Sequence, residues 1–218
     1  MGRKHFWIGD TAIRIEMILP KIEFETAMNI DISIEVNECV SVYPPREDTY
    51  LLIECIDPIA GQKVLEMGCG SGLISLHCAK AGATVVAVDI NPKAVDCTTA
   101  NFQRNGLQAR IHLSDLFSDV EGRFDLILFN PPYLVGPGEG DLERSWAGGK
   151  DGVEILERFL RQAPEHLAHG GHVVVLLSTI MREASMERAL AAFSRRRLGS
   201  KRLFFEELWV EELNISVR

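Results

Sequence analysis

The chain of 218 residues has no apolar run as long as the roughly 18 to 20 residues that a membrane-spanning helix needs. Its start also lacks the marks of a secretory signal peptide, because neither an apolar stretch nor a small-residue cleavage site follows the first basic residues. These absences predict a cytoplasmic protein without membrane contact.

Cysteine is scarce and irregularly placed, with five residues and no C-x-x-C pair. An odd number of widely spaced cysteines indicates neither a zinc site nor a disulfide framework. We therefore expect reduced thiols and no bound metal ion.

Positive charge is also in short supply, with 23 Lys and Arg against 31 Asp and Glu and a formal net charge of −8. Binding to a nucleic acid requires many Lys and Arg side chains that neutralise its phosphates, so this composition disfavours nucleic acid as a partner. The main basic cluster, Arg195–Arg197 with Lys201 and Arg202, is interpreted as a solvated helix end and turn.

A regular alternation of strand and helix patterns begins after Pro44-Pro45. Apolar runs predict strands at 63–67, 84–88, 109–113, 124–129 and 171–177, and two more within 203–217. Helical spacing or helix-boundary signals occur at 48–56, 73–81, 91–105, 151–167 and 181–193. This order predicts an α/β fold with a doubly wound, mostly parallel, seven-stranded sheet.

Residues 1–43 have a different pattern from residues 44–218. Ile30–Val36 alternates apolar and polar residues at period 2, which predicts a half-buried strand. Cys39–Val42 could return as a second strand, and Ala12–Leu19 is a weaker candidate. We interpret 1–43 as a β-rich N-terminal extension and 44–218 as the main domain.

A glycine loop follows the first strand of the main domain. Gly68, Gly70 and Gly72 form G-x-G-x-G, which lets the backbone turn tightly and bring a ligand to a helix N-terminus. The third glycine is not at the dinucleotide-binding spacing, and Glu66 suits a cationic amino-acid group better than a pyrophosphate. The alternative is a loop that only connects a strand to a helix.

Acidic residues follow the next two strands. Asp89 could accept from both hydroxyls of a ribose, or only favour the dipole of the helix that follows it. Asp115 could accept from an adenine amino group while Leu116 packs on the ring. Because parallel sheets bind ligands at the carboxyl ends of their strands, these positions together predict a nucleoside pocket.

The segment Asn130-Pro131-Pro132-Tyr133 directly follows the strand at 124–129. Its two prolines remove backbone donors and leave carbonyl acceptors. The side-chain oxygen of Asn130 and the carbonyl of Pro131 could each accept one hydrogen of a planar NH2 group, with Tyr133 lying against its face. An ordinary Pro-Pro turn is the alternative.

Together these segments resemble class I, Rossmann-like S-adenosylmethionine-dependent methyltransferases of the N-P-P-Y type. The resemblance is closest to the HemK-like glutamine methyltransferases of eukaryotes and archaea. It covers about residues 42–218, and Val42–Leu52, Asp89–Pro92 and Trp146–Gly152 also carry it. The last of these stretches is the most specific. The resemblance implies methyl transfer to the glutamine of a Gly-Gly-Gln motif in a peptide chain release factor.

The resemblance also implies the roles of individual residues. S-adenosylmethionine would be the cofactor, contacted by Thr49, Glu66, Gly68, Gly70, Asp89, Asp115, Leu116 and Asn130. Asn130, Pro131 and Tyr133 would be catalytic, and Asn130, Pro132 and Tyr133 would bind the substrate. A small zinc-binding activator protein could add a strand at the sheet edge formed by 109–113. Residues 1–41 have no counterpart in this pattern, and they could cover that edge instead of an activator.

Two alternatives stay open from the sequence. The same pair of acceptors fits the N6 amine of adenine in DNA or RNA. A cofactor-binding subunit without chemistry of its own would also carry the glycine loop and the acidic residues.

Overall fold

A computed structural model of the chain describes residues 6–8, 11–13, 31–134, 136 and 148–215. Two short strands, β1 (Phe6–Ile8) and β2 (Thr11–Ile13), pair antiparallel near the N-terminus. The strand predicted at Ala12–Leu19 therefore begins as expected, but from residue 14 onward it lies outside the described residues. The division of the chain at residue 43 stays a prediction.

The main element is a seven-stranded sheet. Its strands are β3 (Lys63–Met67), β4 (Thr84–Asp89), β5 (Arg110–Leu113), β6 (Phe124–Phe129), β7 (Leu167–Ser178), β8 (Phe193–Arg202) and β9 (Glu207–Ile215). They lie in the order β5-β4-β3-β6-β7-β9-β8. The first five in this order run parallel, and β9 is antiparallel to both of its neighbours. The prediction of a mostly parallel seven-stranded sheet is confirmed.

Helices cover both faces of this sheet. They are α1 (Glu47–Cys55), α2 (Leu73–Lys80), α3 (Pro92–Arg104), α4 (Glu154–Gln162, continued by a 3-10 turn at Ala163–His166) and α5 (Glu183–Leu190). Alternate residues of β6 belong to two separate hydrophobic cores. Ile127 lies in the core formed with α4 and α5, and Leu126 lies in the core formed with α1 and α2. None of the helices in the described part of the chain is long and apolar enough to cross a membrane.

Residues 31–43 form a strap along α3 with turns at 32–33 and 40–41, and the two strands predicted there are wrong. The side chain of Asn105 bonds the N–H and C=O of Glu35 at 2.9 and 2.7 Å, and Asn101 does the same for Asn37 at 3.0 and 3.1 Å. Two residues of extended chain advance about 6.6 Å and four residues of helix about 6 Å, so the repeats match. The period-2 pattern reflects extended backbone that is paired with a helix rather than with a sheet.

A disulfide between Cys39 and Cys97 fastens the strap to α3, with their Cα atoms 6.1 Å apart. The expectation of reduced thiols is therefore wrong for these two cysteines, while Cys55, Cys69 and Cys78 are free. The two partners are 58 residues apart in sequence, so their spacing gave no sign of the pairing. Such bonds are rare in reducing compartments outside hyperthermophiles.

The last two strands also differ from the prediction, which placed both within 203–217. The β8 strand begins at Phe193 and contains the basic cluster, which is therefore not a helix end. Arg195 pairs with Glu211 at 2.6 Å and Arg196 pairs with Glu212 on the neighbouring strand. Cross-strand ion pairs let a charged, largely exposed sequence form an edge strand, where apolar alternation is not required.

Candidate functional site

The carboxyl ends of β3, β4, β5 and β6 open into a cavity of about 900 Å³. Every residue predicted to contact a cofactor or a substrate lines it. These residues are Thr49, Glu66, Gly68, Gly70, Asp89, Asp115, Leu116, Asn130, Pro131, Pro132 and Tyr133. Parallel strands bring all of them except Thr49 together, because the ends of neighbouring strands and the loops that follow them meet at the same edge of the sheet. Thr49 reaches the cavity from α1.

The glycine loop can be built only with glycine at its end. Gly72 has a φ of +81°, in the left-handed region, and a Cβ there would lie 2.7 Å from the side chain of Thr98. The Gly70 N–H donates to Asp89 Oδ2 at 3.0 Å, which ties the loop to the end of β4. Gly68 and Gly70 of this loop line the cavity together with Cys69 and Ser71.

Glu66 is a buried carboxyl group at the end of β3, only 2% exposed. It accepts from the Ser75 N–H at 2.9 Å and from the Ser75 hydroxyl. Burial, with a smaller contribution from nearby Asp89, raises the pKa of Glu66 to about 8. A cationic group in the cavity would favour the ionised carboxylate, so this end of the cavity fits an ammonium-bearing ligand.

The raised pKa of Glu66 predicts a pH dependence of stability. An unfolded glutamate has a pKa of about 4.3, so between that pH and about pH 8 the folded chain holds a proton that the unfolded chain has lost. The stability from this proton is fully present below about pH 4.3 and is lost as the pH rises through about 8. We expect Glu66→Gln, which still accepts from Ser75 but cannot ionise, to flatten this part of the Tm-against-pH curve of the cofactor-free protein.

Thermal unfolding of the wild type and two variants from pH 4 to pH 9 measures this effect. The matched control is Glu54→Gln, which removes an exposed carboxyl group from α1. Its curve should run parallel to that of the wild type. A Glu66→Gln curve that is also parallel to the wild type would contradict the assignment.

Two carboxylates occupy the positions predicted for ribose and adenine. Asp89 accepts from the Asn91 N–H at 2.9 Å as well as from Gly70, and burial raises its pKa. Asp115 is held by Arg158, whose Nη2 lies 3.0 and 2.9 Å from its two oxygens. A ligand that approaches Asp115 must share it with this guanidinium.

The N-P-P-Y loop presents an unused acceptor. Asn130 Nδ2 donates to Asp48 Oδ2 at 3.1 Å, whereas Asn130 Oδ1 is buried and has no hydrogen-bond partner among the described residues. A buried polar atom without a partner is costly, so a ligand that donates a hydrogen bond to this oxygen would remove that cost. Beside it, burial first and then the charge of Asp48 raise the pKa of Tyr133, so its ring stays a neutral phenol.

A second glycine segment packs against the backbone of this loop. The Gly148 N–H donates to the Leu134 carbonyl at 2.8 Å. A Cβ on Gly148 would lie 2.6 Å from the Pro132 oxygen, and one on Gly152 would lie 2.4 Å from the Tyr133 oxygen. The stretch Trp146–Gly152 thus has a structural role from residue 148 onward, while Trp146 itself lies outside the described residues.

Sequence reasoning assigned no role in the site to four side chains that line the cavity: Tyr43, Asp48, Arg158 and Glu206. Tyr43 and Asp48 lie within the stretch Val42–Leu52, in which only Thr49 received a role, so the signal was present. Glu206 lies on the turn between β8 and β9, and it accepts a hydrogen bond from the Ser178 hydroxyl. No local pattern connects that turn to the cavity.

Comparison with known proteins gives one family and several relatives. The family described as Methyltransferase small domain matches residues 46–197. A protein of Methanocaldococcus jannaschii with the provisional name protein N5-glutamine methyltransferase is 42% identical over 176 residues, which covers 78% of this chain and 89% of the relative. Methyltransferase HEMK2 of Mus musculus is 37% identical over 150 residues, covering 60% of this chain and 68% of the relative.

A solved structure supports the fold. It is that of the Mtq2–Trm112 complex of E. cuniculi, described as responsible for methylation of the eRF1 translation termination factor. The TM-score is 0.65 at 23% identity, over 81% of this chain and 99% of the other. The Rossmann-like class I architecture expected from the sequence is confirmed.

Proposed function

Because the chain belongs to the methyltransferase small domain family, we propose that it transfers the methyl group of S-adenosylmethionine to a glutamine side-chain amide nitrogen. The glutamine would be that of the Gly-Gly-Gln motif in a peptide chain release factor. The observation that carries the proposal is the buried Oδ1 of Asn130, which lacks a partner among the described residues and belongs to a residue lining the cavity. The names of the relatives supply the class of substrate.

The residues of the cavity fit the cofactor part by part. We assign its methionine end to Thr49, Glu66, Gly68 and Gly70, its ribose to Asp89, and its adenine to Asp115 and Leu116. When bound, S-adenosylmethionine supplies an electrophilic methyl group. Asn130 is assigned to both the cofactor and the substrate.

An amide nitrogen is a weak nucleophile because its lone pair is delocalised into the carbonyl group. Asn130 Oδ1 and the Pro131 carbonyl would each accept one of its hydrogens and turn the nitrogen towards the methyl group. The same acceptors stabilise the positive charge that develops on the NH2 group during transfer. Pro132 and the ring of Tyr133 would hold the plane of the amide. The proton can leave afterwards, so no strong base is required.

Adenine N6 presents the same two hydrogens, so the acceptor pair alone does not separate the two substrates. The basic cluster does bear on the choice, because Arg195, Arg196 and Arg197 are engaged by Glu211, Glu212 and Glu207. Cations neutralised by neighbouring carboxylates offer less to a phosphate backbone. We therefore favour a protein substrate.

The sheet edge at β5 is our proposed docking place for a small zinc-binding activator. Within the described residues β5 pairs only with β4, and its last residue Leu113 is 52% exposed. An open edge strand can accept a further strand from a partner. A release factor acts in the cytoplasm, so we place the enzyme there.

Labelled methyl transfer tests the proposal. Recombinant release factor should accept the label, and the same factor with Gly-Gly-Ala in place of Gly-Gly-Gln should not. Each reaction is run with and without a candidate activator, and in parallel with DNA and RNA. Equal labelling of both factors, or labelling of nucleic acid alone, would overturn the proposed substrate.

A further inference from the structure

Asp48, in the first turn of α1, is a buried carboxylate that is 3% exposed and surrounded by donors. Its Oδ1 accepts from the N–H and the hydroxyl of Thr49 at 2.6 and 3.2 Å. Its Oδ2 accepts from the Tyr43 hydroxyl and from Asn130 Nδ2, both at 3.1 Å. Both oxygens of Asp48 are therefore used, and the groups that bond them among the described residues are all donors.

This arrangement determines which way the Asn130 amide points. Rotating that amide by half a turn would bring its oxygen against a carboxylate oxygen, which is repulsive in a buried place. With its NH2 held by Asp48, the Asn130 oxygen is left without a partner among the described residues. A free amide would have no such preference, because its two ends are nearly equal in shape.

We propose that Asp48 is a positioning residue that locks the Asn130 amide with its oxygen towards the substrate nitrogen. The inference rests on the proposed function and adds to it the residue that orients the Asn130 amide. Tyr43 is the second support, since it ends the strap that Cys39–Cys97 fastens to α3. The N-terminal strap and the N-P-P-Y loop thus meet at one carboxylate.

The isosteric variant Asp48→Asn tests the lock. An asparagine has one acceptor oxygen, so it cannot face the Thr49 N–H and the Asn130 NH2 with acceptors at the same time. If its oxygen stays with the buried Thr49 N–H, its own NH2 faces Asn130. The Asn130 amide then turns its oxygen towards the side chain at position 48, so that this oxygen is no longer the unpartnered acceptor. We expect kcat to fall on the order of 10- to 100-fold, with the dissociation constant of S-adenosylmethionine changed less than about threefold.

Two single variants calibrate this loss. Tyr43→Phe removes one donor from Asp48 but leaves the bond to Asn130, so its effect on kcat should be smaller than that of Asp48→Asn. Glu47→Gln removes a neighbouring exposed charge from the same helix and should leave kcat and both KM values at the wild-type level.

The swap variant Asp48→Asn with Asn130→Asp separates positioning from a merely structural role. The NH2 of the new asparagine can donate to one oxygen of the new aspartate, which leaves the other oxygen as an acceptor for substrate. We expect the double variant to exceed Asp48→Asn in kcat by about tenfold. Calorimetry with S-adenosylmethionine and the Tm of each variant accompany the kinetics.

The outcomes separate the two proposals. A wild type that fails to methylate glutamine defeats the proposed function, and the variants are then compared on whichever NH2-bearing acceptor the wild type does methylate. Recovery in the swap variant supports the lock, even if Asp48→Asn lowers the Tm. Full activity of Asp48→Asn, or a swap variant no better than Asp48→Asn, would overturn it.

Discussion

Asn130→Ala is expected to lower kcat for methyl transfer by roughly 100- to 1,000-fold, because it removes an acceptor for the charge that develops on the substrate nitrogen. The cavity would keep Glu66, Asp89 and Asp115, so cofactor affinity should fall no more than about fivefold. Single-turnover rates measure the first quantity and calorimetry with S-adenosylmethionine measures the second.

Asn214→Ala is a suitable control for this loss. Asn214 lies near the end of β9, where its side chain bonds Glu212, and it is not among the residues that line the cavity. Its removal should leave turnover unchanged. An Asn130→Ala enzyme that turns over within a few fold of the wild type would refute the role given to the Asn130 oxygen.

Gly152→Ala should be the second most damaging change. Gly152 has a φ of +71°, and a Cβ there would come within 2.4 Å of the Tyr133 carbonyl oxygen, which is backbone and cannot rotate away. The Tyr133 end of the loop must therefore move. A displacement of about 1 Å in a reacting geometry can cost on the order of 100-fold, so we expect a fall of that size in kcat/KM.

Gly122→Ala isolates the clash from the backbone strain. Gly122 also has a positive φ, +92°, but a Cβ there would meet no atom of the described residues within 4 Å. Both variants should lose about 1 to 2 kcal/mol of stability from the left-handed conformation. Only Gly152→Ala should lose activity beyond that. Equal activity in the two variants would show that the contact with Tyr133 does not matter.

The cavity could be predicted from sequence because its parts are local. Glu66, Asp89, Asp115 and Asn130 each stand at the end of a strand or just past it, and a parallel sheet gathers such positions without further information. Both ends of β6 were predicted correctly, since the strand lies centrally in the sheet and is apolar at every position except Asp125.

The contacts that were not predicted all join distant parts of the chain. The strap could be mistaken for a strand because an extended chain has the same period whether its partner is a strand or α3. The Cys39–Cys97 pair bridges 58 residues. The register of β8 and β9 places Glu212 directly opposite Arg196 and Glu211 diagonally across from Arg195, so both arginines find a carboxylate partner on the neighbouring strand.

Two supports, one from before the N-P-P-Y loop in sequence and one from after it, therefore hold that loop. Asp48 and Tyr43 fix the side chain of Asn130 from the N-terminal side, and Gly148 and Gly152 allow a close approach of backbone from the other. This explains why the lead-in stretch and the glycine stretch, neither of which looks catalytic alone, accompany the loop.

Fragmentation mass spectrometry of the release factor after reaction with the enzyme and S-adenosylmethionine tests the central claim most directly. The account predicts a single methyl group on the side-chain nitrogen of the glutamine in Gly-Gly-Gln, and none when the enzyme carries Asn130→Ala. A methyl group on another residue, or one found only on adenine in nucleic acid, would contradict it.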